Sequence, residues 1–128
     1  MQPRPARILF VTQNHMLRVL VRDVLEFAGW CVKEADTIYA QAMLEQREHF
    51  DLLIIDNDAR YSGLKLVRLL RRWPHRKETP IILISLADLE AEAREAGADA
   101  FLRKPNNLIE LVDTIRRLLP ADADAVPE

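Results

Sequence analysis

Three polar residues each close a run of apolar ones: Asp56 after LLII, Ser85 after IILI and Lys104 after AFLR. A carboxylate, a hydroxyl and an ammonium brought together suit one task, holding a phosphoryl group. The carboxylate oxygen is a nucleophile toward phosphorus. The hydroxyl donates to a phosphoryl oxygen, and the ammonium offsets its charge. Thr12, Gln13 and Asn14 follow the run RILFV, and Asp58 lies two residues beyond Asp56, so they join the candidate set. Loops that cradle nucleotide phosphates need clustered glycines, whereas Gly29, Gly63 and Gly97 are the chain's only three and stand far apart. A phosphate bound here is therefore held by side chains. His15, His49 and His75 lack any metal-ligand spacing.

The apolar runs at 7–11, 51–56, 81–85 and 100–103 are too short for helices and predict buried strands, with a weak further strand at 31–33. Between them lie helical patterns. Asn14 caps the first, whose periodic positions are Leu17, Leu20, Val21, Val24, Leu25 and Ala28. The second spans 38–48 with Ala42, Met43 and Leu44 inward. The third runs from Gly63 to the stop at Pro74, and the fourth covers 88–96 and is closed by Gly97. The last covers 108–119, with Asn107 and Glu110 as a capping box and Leu108, Leu111, Val112, Ile115 and Leu119 as its stripe. Five strands alternating with five helices predict a doubly wound parallel α/β sheet, whose function sits at the carboxyl ends of the strands.

With 128 residues, one domain is expected, over 1–119, followed by an acidic tail or linker start at 120–128. Cys31 is the only cysteine, which excludes an intrachain disulfide and fits a reducing, cytoplasmic setting; it reads as a small buried hydrophobe. A formal net charge of −2 gives no electrostatic case for nucleic acid or a membrane surface as the main partner. No apolar stretch approaches the ~18 residues of a membrane span. The basic run RRWPHRK, 71–77, reads as a solvated helix end, with contact to nucleic acid or an acidic partner as the sharper alternative and Trp73 as an exposed residue beside it.

The ordered set of Asp56 ending an aliphatic strand, Gly63 opening a helix, Ser85 ending IILIS, the segment EAGADAF and Lys104-Pro105 resembles the receiver domain of two-component response regulators over residues 7–119. The resemblance implies a flavodoxin-like, three-layered fold with strand order 2-1-3-4-5. It implies a phosphoacceptor at Asp56, a hydroxyl switch at Ser85, an aromatic switch at Phe101, the family's lysine at Lys104 and a cis Lys104-Pro105 peptide. It further implies signalling through a face built from helix 4, strand 5 and helix 5, toward an output domain, a protein partner or a second copy. Phosphate would come from a histidine kinase or phosphotransfer protein, and any chemistry is self-catalysed aspartyl phosphorylation and dephosphorylation, so the chain is not otherwise an enzyme.

The sequence departs from the family at the acidic pair that helps bind Mg²⁺. Thr12 and Gln13 stand there, which leaves Asp56 and Asp58 as candidates for a weak Mg²⁺ site. Two readings of Asp58 stay open, a substitute for the missing charge or a group that repels an incoming phosphoryl. Ser85 is either a switch or a helix start with Asp88, and Phe101 is either a switch or permanent core. The segment between Ser85 and Lys104 is about one turn short for the family, which shortens helix 4. The alternative function is a degenerate receiver acting as a phosphorylation-independent interaction module. Another flavodoxin-like catalyst or nucleotide binder is disfavoured by the missing phosphate loop.

Overall fold

A computed structural model describes residues 4–58 and 60–120. The strands are β1 (Arg7–Val11), β2 (Cys31–Ala35), β3 (Leu52–Asp56), β4 (Ile81–Ser85) and β5 (Ala100–Arg103). They form one parallel sheet in the order β2-β1-β3-β4-β5. The helices are α1 (His15–Phe27), α2 (Thr37–Glu45), α3 (Gly63–Leu70), α4 (Glu90–Ala96) and α5 (Leu111–Leu118), with short 3₁₀ turns at Pro74–Arg76 and Asn106–Glu110. Every residue of β3 and β4 is buried, because helices cover both faces. On one face Leu9, Leu53, Ile55, Ile81 and Leu83 pack against α2, α3 and α4. On the other, Ile8, Phe10, Ile54, Ile82 and Leu102 pack against α1 and α5. Order reverses beside β1, and that switch point opens a crevice above the carboxyl ends of β1 and β3.

Several sequence expectations are corrected. Leu20 and Val24 of α1 face solvent together with Met16 and Phe27, and only Val21 and Leu25 of that helix are fully buried. Ala40, not Ala42, joins Met43 and Leu44 in the core. Cys31 is exposed, because β2 is an edge strand with one sparsely covered face. Asn107 does not cap α5: its carbonyl oxygen accepts from the Arg103 N–H at the end of β5, and its amide donates to Glu110. α4 has only seven residues, and the tail at 121–128 lies outside the described residues.

The largest correction concerns the basic run. α3 ends at Leu70, and Arg71 and Arg76 turn inward as clamps on backbone carbonyls. Arg71 donates to the carbonyls of Gly97, Arg76, Lys77 and Thr79 at 2.8–3.0 Å and to Asp99 at 2.9 Å. Its stem crosses Gly97, where a Cβ would lie 2.6 Å from Arg71 Cγ and φ is +114°, so this position needs glycine. Arg76 is 3% exposed and donates to the carbonyls of Leu44, Gln46 and Glu48 at 3.0, 2.8 and 2.6 Å, satisfying groups left open beyond the end of α2. Burial pushes both guanidinium groups below their ordinary pKa, opposed by Asp99 at Arg71 and Glu48 at Arg76. Trp73 is half-buried and stacks on His75 with centroids 5.9 Å apart.

At the opposite end of the sheet from the crevice, Asp51 accepts from the Arg7 N–H at 2.7 Å, from Arg4 at 2.8 and 2.9 Å, and lies 2.8 Å from the His49 ring nitrogen. Burial opposes its ionisation, but these partners outweigh burial and lower its pKa to about 2. A carboxyl whose folded pKa is depressed adds stability above its unfolded pKa and loses it as pH falls toward the folded value. Asp51→Asn is therefore expected to cost roughly 2 kcal/mol at pH 7. In urea titrations the gap between the two proteins should close between about pH 4 and pH 2.

Candidate functional site

The crevice gathers residues from four strand ends. Register sets Val11 opposite Ile55, so Thr12 follows β1 directly beside Asp56 at the end of β3. Thr12 Oγ1 donates to Asp56 Oδ2 at 2.8 Å and accepts from the Asn14 N–H at 3.0 Å. From the far side, Lys104 Nζ donates to Asp56 Oδ1 at 2.6 Å. Asp56 is 3% exposed, and the Lys104 side chain 13%. The carboxylate thus sits between one cation and one hydroxyl, each of its oxygens engaged once. Lys104-Pro105 is a cis peptide, and the Lys104 N–H donates to the Ser85 carbonyl at 2.8 Å, which ties the lysine to the end of β4.

Ser85 lies one residue past Ile84, the β4 partner of Asp56. Its Oγ accepts from the Ala87 N–H at 3.1 Å, a tight local turn, and its proton has no protein acceptor among the described residues. Asp88 accepts from Glu90 N–H and makes no capping pair with Ser85, so the helix-start reading is not realised. Phe101 is half-buried and packs on the α2–α4 side of the sheet, opposite Leu83 of β4. Alternation along β4 puts Ser85 on the same face as Leu83, so Ser85 and Phe101 share a face. Gly63 opens α3 against the end of β3. A Cβ there would lie 3.0 Å from Ile55 and Leu83 side-chain carbons and 3.1 Å from Asn57 Cα.

The remaining candidates are turned to local tasks. The Gln13 side-chain oxygen accepts from the Thr37 N–H at 2.7 Å and from its hydroxyl at 3.0 Å, which binds the crevice to the start of α2. Asp58 Oδ1 accepts from the Arg60 N–H at 2.7 Å. Mg²⁺ takes one or two carboxylates as anchors and demands octahedral oxygen geometry. Here both Asp56 oxygens already have partners, Thr12 points a proton at the carboxylate, and the Gln13 oxygen is committed to Thr37. This donor set suits Mg²⁺ poorly, because the ion would have to displace these partners. The sequence places Thr12 among the strand-end candidates and at the lost acidic pair, but does not show it as a direct partner of Asp56. The pairing was available in principle, since neighbouring strands that end in VT and IID place the two side by side once β1 and β3 are adjacent. Arg18 was also missed: it donates to the Thr12 carbonyl at 2.8 Å and braces the first loop.

Comparison with known proteins gives the family of the fold. The family model of the response regulator receiver domain matches residues 8–116. The phosphate regulon transcriptional regulatory protein PhoB of Pseudomonas aeruginosa is 31% identical over 127 residues, covering 92% of this chain and 55% of its own length. The chain spans about half the length of the curated relatives it matches. Among solved structures, chemotaxis protein CheY4 of Vibrio cholerae superposes with a TM-score of 0.80 at 30% identity, covering 90% of this chain and 99% of that one. Response regulator TrrA of Thermotoga maritima, solved in complex with Mg²⁺-BeF, gives 0.76 at 25% identity over 89% and 99% of the two chains. Receiver domains are signalling modules rather than classical enzymes, and they generally bind Mg²⁺ for phosphorylation. With the family model matched over most of the chain and the strand order in agreement, this chain belongs to the receiver-domain family of response regulators.

Proposed function

We propose that the domain receives a phosphoryl group on Asp56 and passes the change on through a protein-interaction face. The observation that carries this reading is the buried Asp56 carboxylate, held at 2.6 Å by Lys104 at the carboxyl end of a central strand. Lys104 stays on Oδ1, which leaves Oδ2 as the attacking oxygen once the Thr12 hydroxyl rotates away. Oδ2 bonds to phosphorus as the phosphorus–nitrogen bond of the donor's phosphohistidine breaks, and the imidazole nitrogen keeps that electron pair; with acetyl phosphate the bond broken is phosphorus–oxygen and acetate departs with the pair. Lys104 offsets the added charge, and the Ser85 proton is free to donate to a phosphoryl oxygen. Hydrolysis of the acyl phosphate returns the carboxylate and inorganic phosphate.

A Ser85 side chain drawn toward phosphate leaves space on the face it shares with Phe101, and Phe101 is only half-buried there. Repacking at Phe101 would then alter α4, β5 and α5, the surface assigned to an output domain, a protein partner or a second copy. The donor in this reading is a histidine kinase or phosphotransfer protein in the cytoplasm. The exposed apolar row Met16, Leu20, Val24 and Phe27, running along α1 from the crevice, supports a protein partner. Among the described residues no helix is long and apolar enough to cross a membrane.

Beryllofluoride, an analogue of the bound phosphoryl, tests the reading. Amide NMR shifts are expected at Asp56, Ser85, Phe101 and along α4, β5 and α5. A spectrum unchanged at saturating beryllofluoride and millimolar Mg²⁺ would favour the phosphorylation-independent module instead.

Mg²⁺ binds only weakly in this reading, because Thr12 and Gln13 replace the acidic pair. Thr12→Asp combined with Gln13→Asp adds two carboxylates at the crevice and should tighten Mg²⁺ binding at least tenfold, read as amide shifts in a Mg²⁺ titration. Equal affinity for the parent and the double variant would contradict the placement of these residues.

A further inference from the structure

Apart from the Asp56 crevice, the described residues form an open groove of about 630 Å³ between α2 and α3. Its rim carries Arg60, Lys65, Arg68 and Arg72, and no carboxylate lines it. Most other cations of the domain are engaged. Arg4, Arg7, Arg18, Arg22, Arg71 and Arg94 pair with carboxylates, and Arg76 and Arg103 bond to backbone carbonyls. None of the four groove cations has a salt bridge or side-chain hydrogen bond among the described residues.

The helix dipole favours Arg68 and Arg72 at the end of α3, but it does not account for Lys65 or for Arg60. Lys65, Arg68 and Arg72 follow one another at spacings of three and four residues, where like charges on one face repel. Lys65 stands in the first turn of α3, at the end of the dipole that disfavours cations. The chain as a whole carries a net charge of −2, so this concentration is local. The floor is apolar, with Leu66 buried and Leu69 and Tyr61 half-buried, and on the opposite wall Ile38 of α2, 67% exposed, stands between the polar Thr37 and Gln41.

We propose that this groove docks an acidic amphipathic helix of a partner protein. A helix rises about 1.5 Å per residue, so the row from Lys65 to Arg72 extends roughly 10 Å. Glutamates at positions i, i+3 and i+7 of a helix laid alongside match that row, and an apolar residue between them reaches Ile38 and Leu69. A polynucleotide fits less well, because the cations stop at the groove and Tyr61 is its only aromatic side chain. The surface is separate from Asp56, and its occupancy does not depend on phosphorylation.

The test uses the full chain and a synthetic helical peptide carrying Glu at i, i+3 and i+7 with leucines between them, beside a matched peptide with Gln in place of Glu. The acidic peptide is expected to shift amides of α2 and α3, with an affinity that falls as salt rises. Lys65→Glu with Arg68→Glu and Arg72→Glu should weaken it by roughly tenfold or more, while a lysine version of the peptide binds this variant instead. An unchanged circular dichroism spectrum shows that the variant is folded. Four results would overturn the proposal: no shifts at millimolar peptide, equal binding of the Gln peptide, tighter binding of a single-stranded oligonucleotide, or tighter peptide binding once Asp122→Asn and Asp124→Asn are introduced. The last would identify the chain's own tail as the occupant.

Discussion

Arg76→Met destabilises the domain by roughly 3–5 kcal/mol, a large share of the 5–15 kcal/mol that holds a typical domain folded. Methionine keeps the apolar stem but supplies no donors. The carbonyls of Gln46 and Glu48 then lose their side-chain donor and that of Leu44 keeps only the His75 ring nitrogen at 2.9 Å, in a place where the guanidinium itself is 3% exposed. Bonds from a charged donor contribute about 1.5–3 kcal/mol each, and part of that loss is recovered where water reaches the freed carbonyls. Arg76→Lys should recover less than half, since one ammonium cannot serve carbonyls spread across a planar fork. Arg72→Met is the control: Arg72 belongs to the same basic run yet is exposed, and its loss should stay within about 0.5 kcal/mol. Urea unfolding of the three variants measures all of this. A loss below about 1 kcal/mol in Arg76→Met would refute the clamp.

The second large effect is at the crevice. Lys104→Met leaves the buried Asp56 carboxylate with Thr12 as its remaining side-chain partner among the described residues, and removing one member of a buried pair costs about 3–5 kcal/mol. Adding Asp56→Asn removes the orphaned charge. The double variant should therefore regain most of the lost stability, because a buried ion pair contributes little net stability compared with a neutral replacement. Such a pattern marks the pair as kept for chemistry rather than for the fold. Each single change should also abolish or strongly reduce phosphoryl uptake, Asp56→Asn by removing the nucleophile and Lys104→Met by removing the cation that offsets developing charge. Thermal or urea midpoints of the double-mutant cycle supply the coupling. Additive losses would contradict the account of the pair.

Much of this was legible in the sequence for a physical reason. The runs LLII and IILI are aliphatic on both faces, which only a doubly covered strand tolerates, and β3 and β4 are buried throughout. The polar residue closing each run then had to lie at a strand end, which located Asp56 and Ser85, while Lys104 follows the less apolar run AFLR. Helix ends were harder. Apolar periodicity continues to Trp73, but the N–H groups of Arg72 and Trp73 turn to carbonyls three residues back, so the α-helix stops at Leu70. Apolar periodicity also misled at α1, where Leu20 and Val24 repeat at helical spacing on the solvent side.

The clamps were not legible at all. Arg71 and Arg76 sit in a basic run that reads as a solvated helix end, and their partners are backbone carbonyls, some about thirty residues away, that carry no sequence signature. The groove between α2 and α3 was hidden for the same reason. Its cations are scattered from Arg60 to Arg72, and only the engagement of Arg71 elsewhere separates them from the clamp. Thr12 was read as an absence of charge, while its hydroxyl is one of two groups that hold Asp56.

Asp56 as phosphoacceptor is tested directly by intact-mass spectrometry after incubation with acetyl phosphate at neutral pH and millimolar Mg²⁺. A mass gain of one phosphoryl group in the parent, absent in Asp56→Asn and reversed by mild base that hydrolyses acyl phosphates, is the predicted result. No gain in the parent, or an equal gain in Asp56→Asn, would contradict it.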